Sequence, residues 1–101
     1  DAPVLIAVFV DPEVEPNHYV EDGSAATQNM LLAADSLGLG SAWIGVLDLK
    51  KKKGTAEEKI KKALDLPEKW RLISVLPIGI PKKVPETGRK DLSEIVNWDF
   101  A

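Results

Sequence analysis

With 101 residues, the chain is long enough for one domain and too short for two. A formal net charge of −3 supplies no broad basic surface, so a nucleic-acid partner is not expected. The absence of cysteine excludes a disulfide scaffold, a thiol nucleophile and thiolate metal sites, and it fits a reducing cytoplasm.

The run VLIAVFV at positions 4–10 is β-rich and does not alternate, which predicts a central strand covered on both faces. Its seven residues are far short of the ~20 that cross a bilayer, and its flank is Asp1 rather than a basic segment, so neither a membrane span nor a signal peptide is expected. The abrupt opening at Asp1, without an initiator Met, leads us to expect an upstream portion. Two prolines and several acids mark positions 11–17 as a loop. Asp22 or Ser24 can cap the next helix, which runs to about Leu37 and stops at Gly38, with Gly40 close behind. Ala25, Ala26, Ala33 and Ala34 give this helix little bulk, so a second helix can approach it closely, and a homodimer contact is expected there. Positions 41–46 read as a short strand.

Lys50, Lys51, Lys52 and Lys53 with Gly54 read as a solvated turn, since the following helix and the whole chain are acidic. Thr55 and Glu58 form a capping box. The helix it opens carries the i,i+4 pairs Glu57–Lys61 and Glu58–Lys62 and ends near Leu66 and Pro67. Positions 71–80 form the third strand, and Pro77 inside it predicts an edge position or an unpaired stretch. A second capping box, Asp91 to Glu94, opens a short helix carrying Ile95 and Val96 toward Trp98. The β-α-β-α-β-α order by itself favours helices packed on a parallel sheet.

Gly38-Leu39-Gly40-Ser41 invites a dinucleotide-loop reading, but Trp43 occupies the third glycine position. The order, helix before and strand after, is also the reverse of a phosphate cradle, so a helix C-cap is the expected role. His18, the one histidine, has no serine, cysteine or metal-ligand partner nearby in sequence, and no catalytic role is expected for it. Trp43, Trp70 and Trp98 follow no stripe and read as anchors against the core or a partner subunit.

The succession of small-residue helix, Gly-Leu-Gly-Ser and Trp-Ile-Gly, followed by Leu66-Pro67, Gly79-Ile80-Pro81 and then Arg89, resembles the second half of the flavin-dependent nitroreductase family. The resemblance implies an α+β fold of three α/β/α layers with a mixed, largely antiparallel sheet. That is the fold expected here, with residues 1–101 as the C-terminal part of one such domain. It also implies FMN as cofactor, with Trp43, Ile44, Gly45 and Val46 against the flavin ring and a main-chain N–H there facing the ring's N5. A glycine suits such a place because a planar ligand meets no Cβ. Arg89 would grip the flavin phosphate with its fixed fork of donors, with Lys90 as a second candidate.

Members of this family use NAD(P)H and then a second, small electron acceptor such as a nitroaromatic or quinone, and they are usually homodimers with flavin at the interface. The cofactor carries the hydride chemistry, which accounts for the lack of an acid–base pair in the sequence. The Arg-Arg-Ser-like segment of the family's first half has no counterpart, since Arg71 and Arg89 are the only arginines. Two readings therefore stand: a portion of an FMN-dependent NAD(P)H oxidoreductase, or a non-catalytic remnant or dimerisation module of that fold without flavin.

Overall fold

The computed structural model describes residues 2–49 and 54–99; the four lysines at 50–53 lie outside the described residues. Strand β1 (Val4–Val10) leads to helix α1 (Tyr19–Ser36), then β2 (Gly40–Ser41), β3 (Ile44–Gly45), helix α2 (Ala56–Leu64), β4 (Arg71–Gly79) and a single turn of helix, α3 (Leu92–Ile95). All three strand pairings are antiparallel, so the parallel sheet that the alternation favours is not realised. The fold is α+β with an antiparallel sheet, as the family resemblance implies.

The centre of the sheet is β4. It pairs with β1 along one side and with β2 and β3 along the other. This corrects one expectation. The run 4–10 is an edge strand with only Val8 buried, and Val4 and Leu5 remain 50% and 66% exposed. The proline-bearing strand is interior, and of the two alternatives for Pro77 the unpaired stretch is the one realised. Pro77 is accommodated because the strand expected at 41–46 is broken in two: Gly40–Ser41 and Ile44–Gly45 hold one continuous register on β4. The interruption at Ala42 and Trp43 falls opposite Leu76 and Pro77, where the proline has no N–H to donate to a ladder.

Helix α1 lies on β1, β4 and β2. It begins about one turn earlier than expected, at Tyr19, so Asp22 and Ser24 are inside it rather than capping it. The entry is fixed by Glu15, whose Oε1 accepts from the Asn17 and His18 N–H at 3.0 and 3.1 Å. Glu21 and Asp22 then sit in the first turn, where the helix dipole favours anions. The C-terminus behaves as expected. Gly38 takes φ +75°, Gly38 N donates to Asp35 O at 3.0 Å, and Leu39 N donates to Ala34 O at 2.9 Å, which is a Schellman closure.

The buried stripe of α1 is Gly23, Thr27 and Ala34, so the small residues serve the approach of helix to sheet. A Cβ on Gly23 would collide with Ile73 Cγ1. Ala25 and Ala33 are exposed and contact no second helix among the described residues. A β-bulge between Val8 and Phe9 leaves Ile73 unmatched on β4. That irregularity lets two consecutive residues meet one helix: Ile73 against Gly23, and the Ser74 hydroxyl 2.8 Å from that of Thr27. Leu72, Ile73 and Leu76 with Val8 and Ala34 make up the buried apolar core among the described residues.

Thr55 caps α2 by accepting from Glu58 N at 3.3 Å, and Glu58 pairs with Lys62 at 3.6 Å as expected. Glu57 does not pair with Lys61. It turns inward to Arg71, and Lys61 Nζ donates to Glu68 O at 2.8 Å. The second capping box does not form, since Asp91 makes no side-chain cap bond and α3 buries no residue. From Pro81 onward nearly every described residue is exposed.

Candidate functional site

The segment 40–48 carries the expected ring-facing residues. Trp43 and Ile44 are 40% and 48% exposed. Gly45 is exposed as well, and a Cβ placed on it would meet no atom within 4 Å. Val46 is half-buried, and its N–H reaches Ile73 O only at 3.5 Å, the long limit of a ladder bond. These four residues thus form a bare strand edge and face to which a flat molecule has access.

The chain does not enclose that face. A hollow of about 210 Å³ lies beside it, lined by Gly40, Ser41, Ala42, Pro77 and Pro81 among others, and a larger one of about 380 Å³ lies by α2, around Tyr19, Glu57, Lys61 and Arg71. Trp43, Ile44, Gly45 and Val46 line neither. Arg89 and Lys90 lie exposed in the coil between β4 and α3, and neither is ion-paired with another described residue. His18 is exposed at the start of α1, with Nδ1 3.4 Å from Glu15 Oε1. No group of three or more His, Asp or Glu suited to a metal ion occurs among the described residues. Of the three tryptophans only Trp70 makes a ring contact, with Phe9 at a centroid distance of 6.4 Å, while Trp98 is 84% exposed.

The most constrained polar group was not singled out by the sequence pattern. Arg71 and Glu57 are both buried and joined by two bonds, Nε to Oε2 at 2.8 Å and a terminal guanidinium nitrogen to Oε1 at 3.0 Å. The same nitrogen donates to the Asp48 carbonyl at 2.6 Å. Glu57 additionally accepts from Leu72 N at 3.1 Å and from Asp48 N at 3.3 Å. Burial pushes the Glu57 carboxyl upward. The Arg71 hydrogen bond, the two backbone N–H groups and the Arg71 charge outweigh it and hold the carboxyl below its ordinary value. The guanidinium is in turn held above its ordinary value, chiefly by the hydrogen bond to Glu57, against its own burial. A signal for this pair was available: an arginine opening the apolar run LISVLPI needs a partner if the strand is buried.

The model of the nitroreductase family matches residues 1–80. The chain belongs to this family. Over 94 residues it is 44% identical to a Methanothermobacter thermautotrophicus protein named "Putative NADH dehydrogenase/NAD(P)H nitroreductase", covering 91% of this chain and 46% of that one. The solved structure of an FMN-dependent nitroreductase from Clostridium difficile superposes with a TM-score of 0.84 at 27% identity, covering 98% of this chain and 58% of that one. A Desulfovibrio desulfuricans protein solved as "a putative nitroreductase in complex with fmn" has a TM-score of 0.76 at 32% identity, covering 99% of this chain and 57% of that one. The chain spans about half the length of the curated relatives it matches. Among its described residues no helix is long and apolar enough to cross a membrane.

Proposed function

We propose that this chain is the C-terminal part of an FMN-dependent NAD(P)H oxidoreductase that passes a hydride to a small electron-poor acceptor such as a nitroaromatic or quinone. The observation that carries the reading is the exposed stretch Trp43-Ile44-Gly45, with open space where a Gly45 Cβ would stand. Such a surface suits a planar isoalloxazine ring, because backbone can approach it closely. Bound FMN supplies the hydride chemistry, accepting from the nicotinamide and donating to the acceptor.

The chain's own residues bind and orient. Trp43, Ile44, Gly45 and Val46 form one wall of the cofactor site, and Val46 offers a main-chain donor held only by a 3.5 Å bond. Arg89 takes the phosphate, with Lys90 as a second cation. Arg71 is committed to Glu57 and unavailable for that role. The open face requires a second wall, which the rest of the fold and a second copy of the chain supply in a cytoplasmic homodimer. The exposed apolar residues Leu92, Ile95 and Trp98 suit burial against that second copy.

The test uses the complete purified protein with FMN and NAD(P)H. We expect flavin absorption, steady-state NAD(P)H oxidation, unchanged turnover in His18→Ala, suppressed binding and rate in Gly45→Val, and about ten- to a hundredfold weaker FMN binding in Arg89→Ala. A protein that takes up no flavin supports the other reading, a non-catalytic module of the fold. Loss of activity in His18→Ala with Gly45→Val unaffected overturns the assignment of the site.

A further inference from the structure

The register of β3 on β4 stops at Gly45 opposite Ser74. Continued by three residues, it would set Leu47 and Asp48 opposite Leu72 and Arg71. Instead, the Glu57 carboxylate from α2 occupies the space between the strands and accepts one N–H from each: Leu72 N at 3.1 Å and Asp48 N at 3.3 Å. Arg71 closes the arrangement by donating both to Glu57 and, at 2.6 Å, to the Asp48 carbonyl. A single peptide segment is therefore gripped at its N–H and its C=O by two buried, oppositely charged side chains.

This grip lies two residues beyond Val46. Among the described residues, the stretch from Gly45 to Asp48 has one ladder bond outside β3, the 3.5 Å contact from Val46 N to Ile73 O. The strand is thus loosely held where the flavin-facing backbone lies and firmly held just past it. Consecutive Cα atoms are about 3.8 Å apart across rigid peptides, so the position of Asp48 restricts where the Val46 N–H can point.

We propose that Glu57 and Arg71 are positioning residues for the FMN site: they splay β3 from β4 and fix the Gly45–Val46 backbone against the ring without touching the cofactor. The inference rests on the reading of residues 43–46 as the flavin wall. Two features distinguish it from a role in stability alone. A buried ion pair is often replaceable by apolar residues of similar volume at little or no cost in stability. Its two contacts with the Asp48 backbone are not replaceable in that way, since methionine and leucine offer no partner for that N–H and C=O.

The experiment compares wild type, Glu57→Gln and the double variant Glu57→Met/Arg71→Leu in the complete protein. FMN affinity is measured by fluorescence titration, alongside the absorption spectrum and midpoint potential of bound FMN and the melting temperature of the apoprotein. We expect the double variant to fold, with a melting temperature lowered by the unpaired Leu72 and Asp48 backbone groups, and to bind FMN roughly tenfold more weakly, with a displaced flavin band and a changed potential. Glu57→Gln, which keeps the shape and one acceptor oxygen, shows the same spectral and potential changes in smaller measure and decides the matter if the double variant does not fold. Variants that fold and bind FMN with unchanged affinity, spectrum and potential overturn the proposal. A wild-type protein that binds no FMN removes instead the reading on which it rests, and the two failures are distinct.

Discussion

Gly23→Ala separates two physical effects of opposite sign. Gly23 is the fifth residue of α1, and glycine in a helix interior is about 0.8–1.0 kcal/mol less favourable than alanine. Propensity alone therefore predicts stabilisation by that amount. The structure predicts otherwise. An added Cβ would overlap Ile73 Cγ1 and lie 3.1 Å from Val10 Cγ1 and 3.2 Å from Ile73 Cβ. Ile73 is only 4% exposed and belongs to the central strand, so neither its side chain nor its backbone has room to withdraw. Overpacking of this kind costs about 1–3 kcal/mol, which leaves the variant destabilised by about 0–2 kcal/mol. Denaturant unfolding at constant m reads the sign directly. The double variant Gly23→Ala/Ile73→Ala removes the obstructing Cγ1, and a double-mutant cycle should return a favourable coupling of about 1–3 kcal/mol. A Gly23→Ala protein stabilised by the full helix-propensity increment, with no coupling to Ile73, would refute the close approach of α1 to β4.

The buried hydroxyls beneath the same helix give a second test. Thr27 donates to Gly23 O, so Ser74 is the donor in their 2.8 Å contact; Thr27→Val strands a fully buried Ser74 hydroxyl and should cost about 1–3 kcal/mol, most of it recovered on adding Ser74→Ala. The third concerns acid. The Glu57 carboxyl is held below its ordinary value of 4.5, so its contribution to stability is complete above that pH and is lost as pH falls below it through the folded-state value. Urea midpoints at neutral pH and below pH 4.5 should show Glu57→Gln less stable than wild type at neutrality and less sensitive to acid, and parallel acid profiles would contradict the ion pair.

Local signals were the legible part of the fold. Gly38 closes α1, Thr55 caps α2, and the chain leaves α2 at Asp65, just before Leu66 and Pro67, because each depends on a few neighbouring residues. What failed was whatever depends on the partner across the sheet. Asp22 and Ser24 are good caps, yet the helix has already begun at Tyr19, where the Glu15 carboxylate holds the preceding Asn17 and His18 N–H groups. Pro77 left an edge position and an unpaired stretch both open because a proline cannot donate; the second is realised, and only the partner strand, interrupted opposite it, decides between them. The Glu57–Lys61 spacing is ideal on a helix surface, but an arginine fourteen residues beyond Glu57 competes for the carboxylate in a drier place.

The disagreement over β1 has a different origin. The sequence at 4–10 is apolar on both faces, and that pattern is written for a strand covered on both. Within this chain the strand is at the sheet edge, with Val4 and Leu5 half to two-thirds exposed. Ile44, Ile80 and Trp98 are exposed in the same way, and the radius of gyration is 16.8 Å, against about 13 Å for a compact domain of this size. An amphipathic pattern reports the environment in which a residue works, whichever chain or segment supplies it. Where pattern and burial agree, as at Leu72 and Leu76, the chain provides both sides of the contact. Where they part, the apolar residue is left open among the described residues. The exposed wall at Trp43, Ile44 and Gly45 belongs to this second group, and under the proposed function one of its covers is FMN. Under that reading, FMN stabilises the folded form that binds it by mass action. Added FMN should therefore raise the melting temperature of the complete protein.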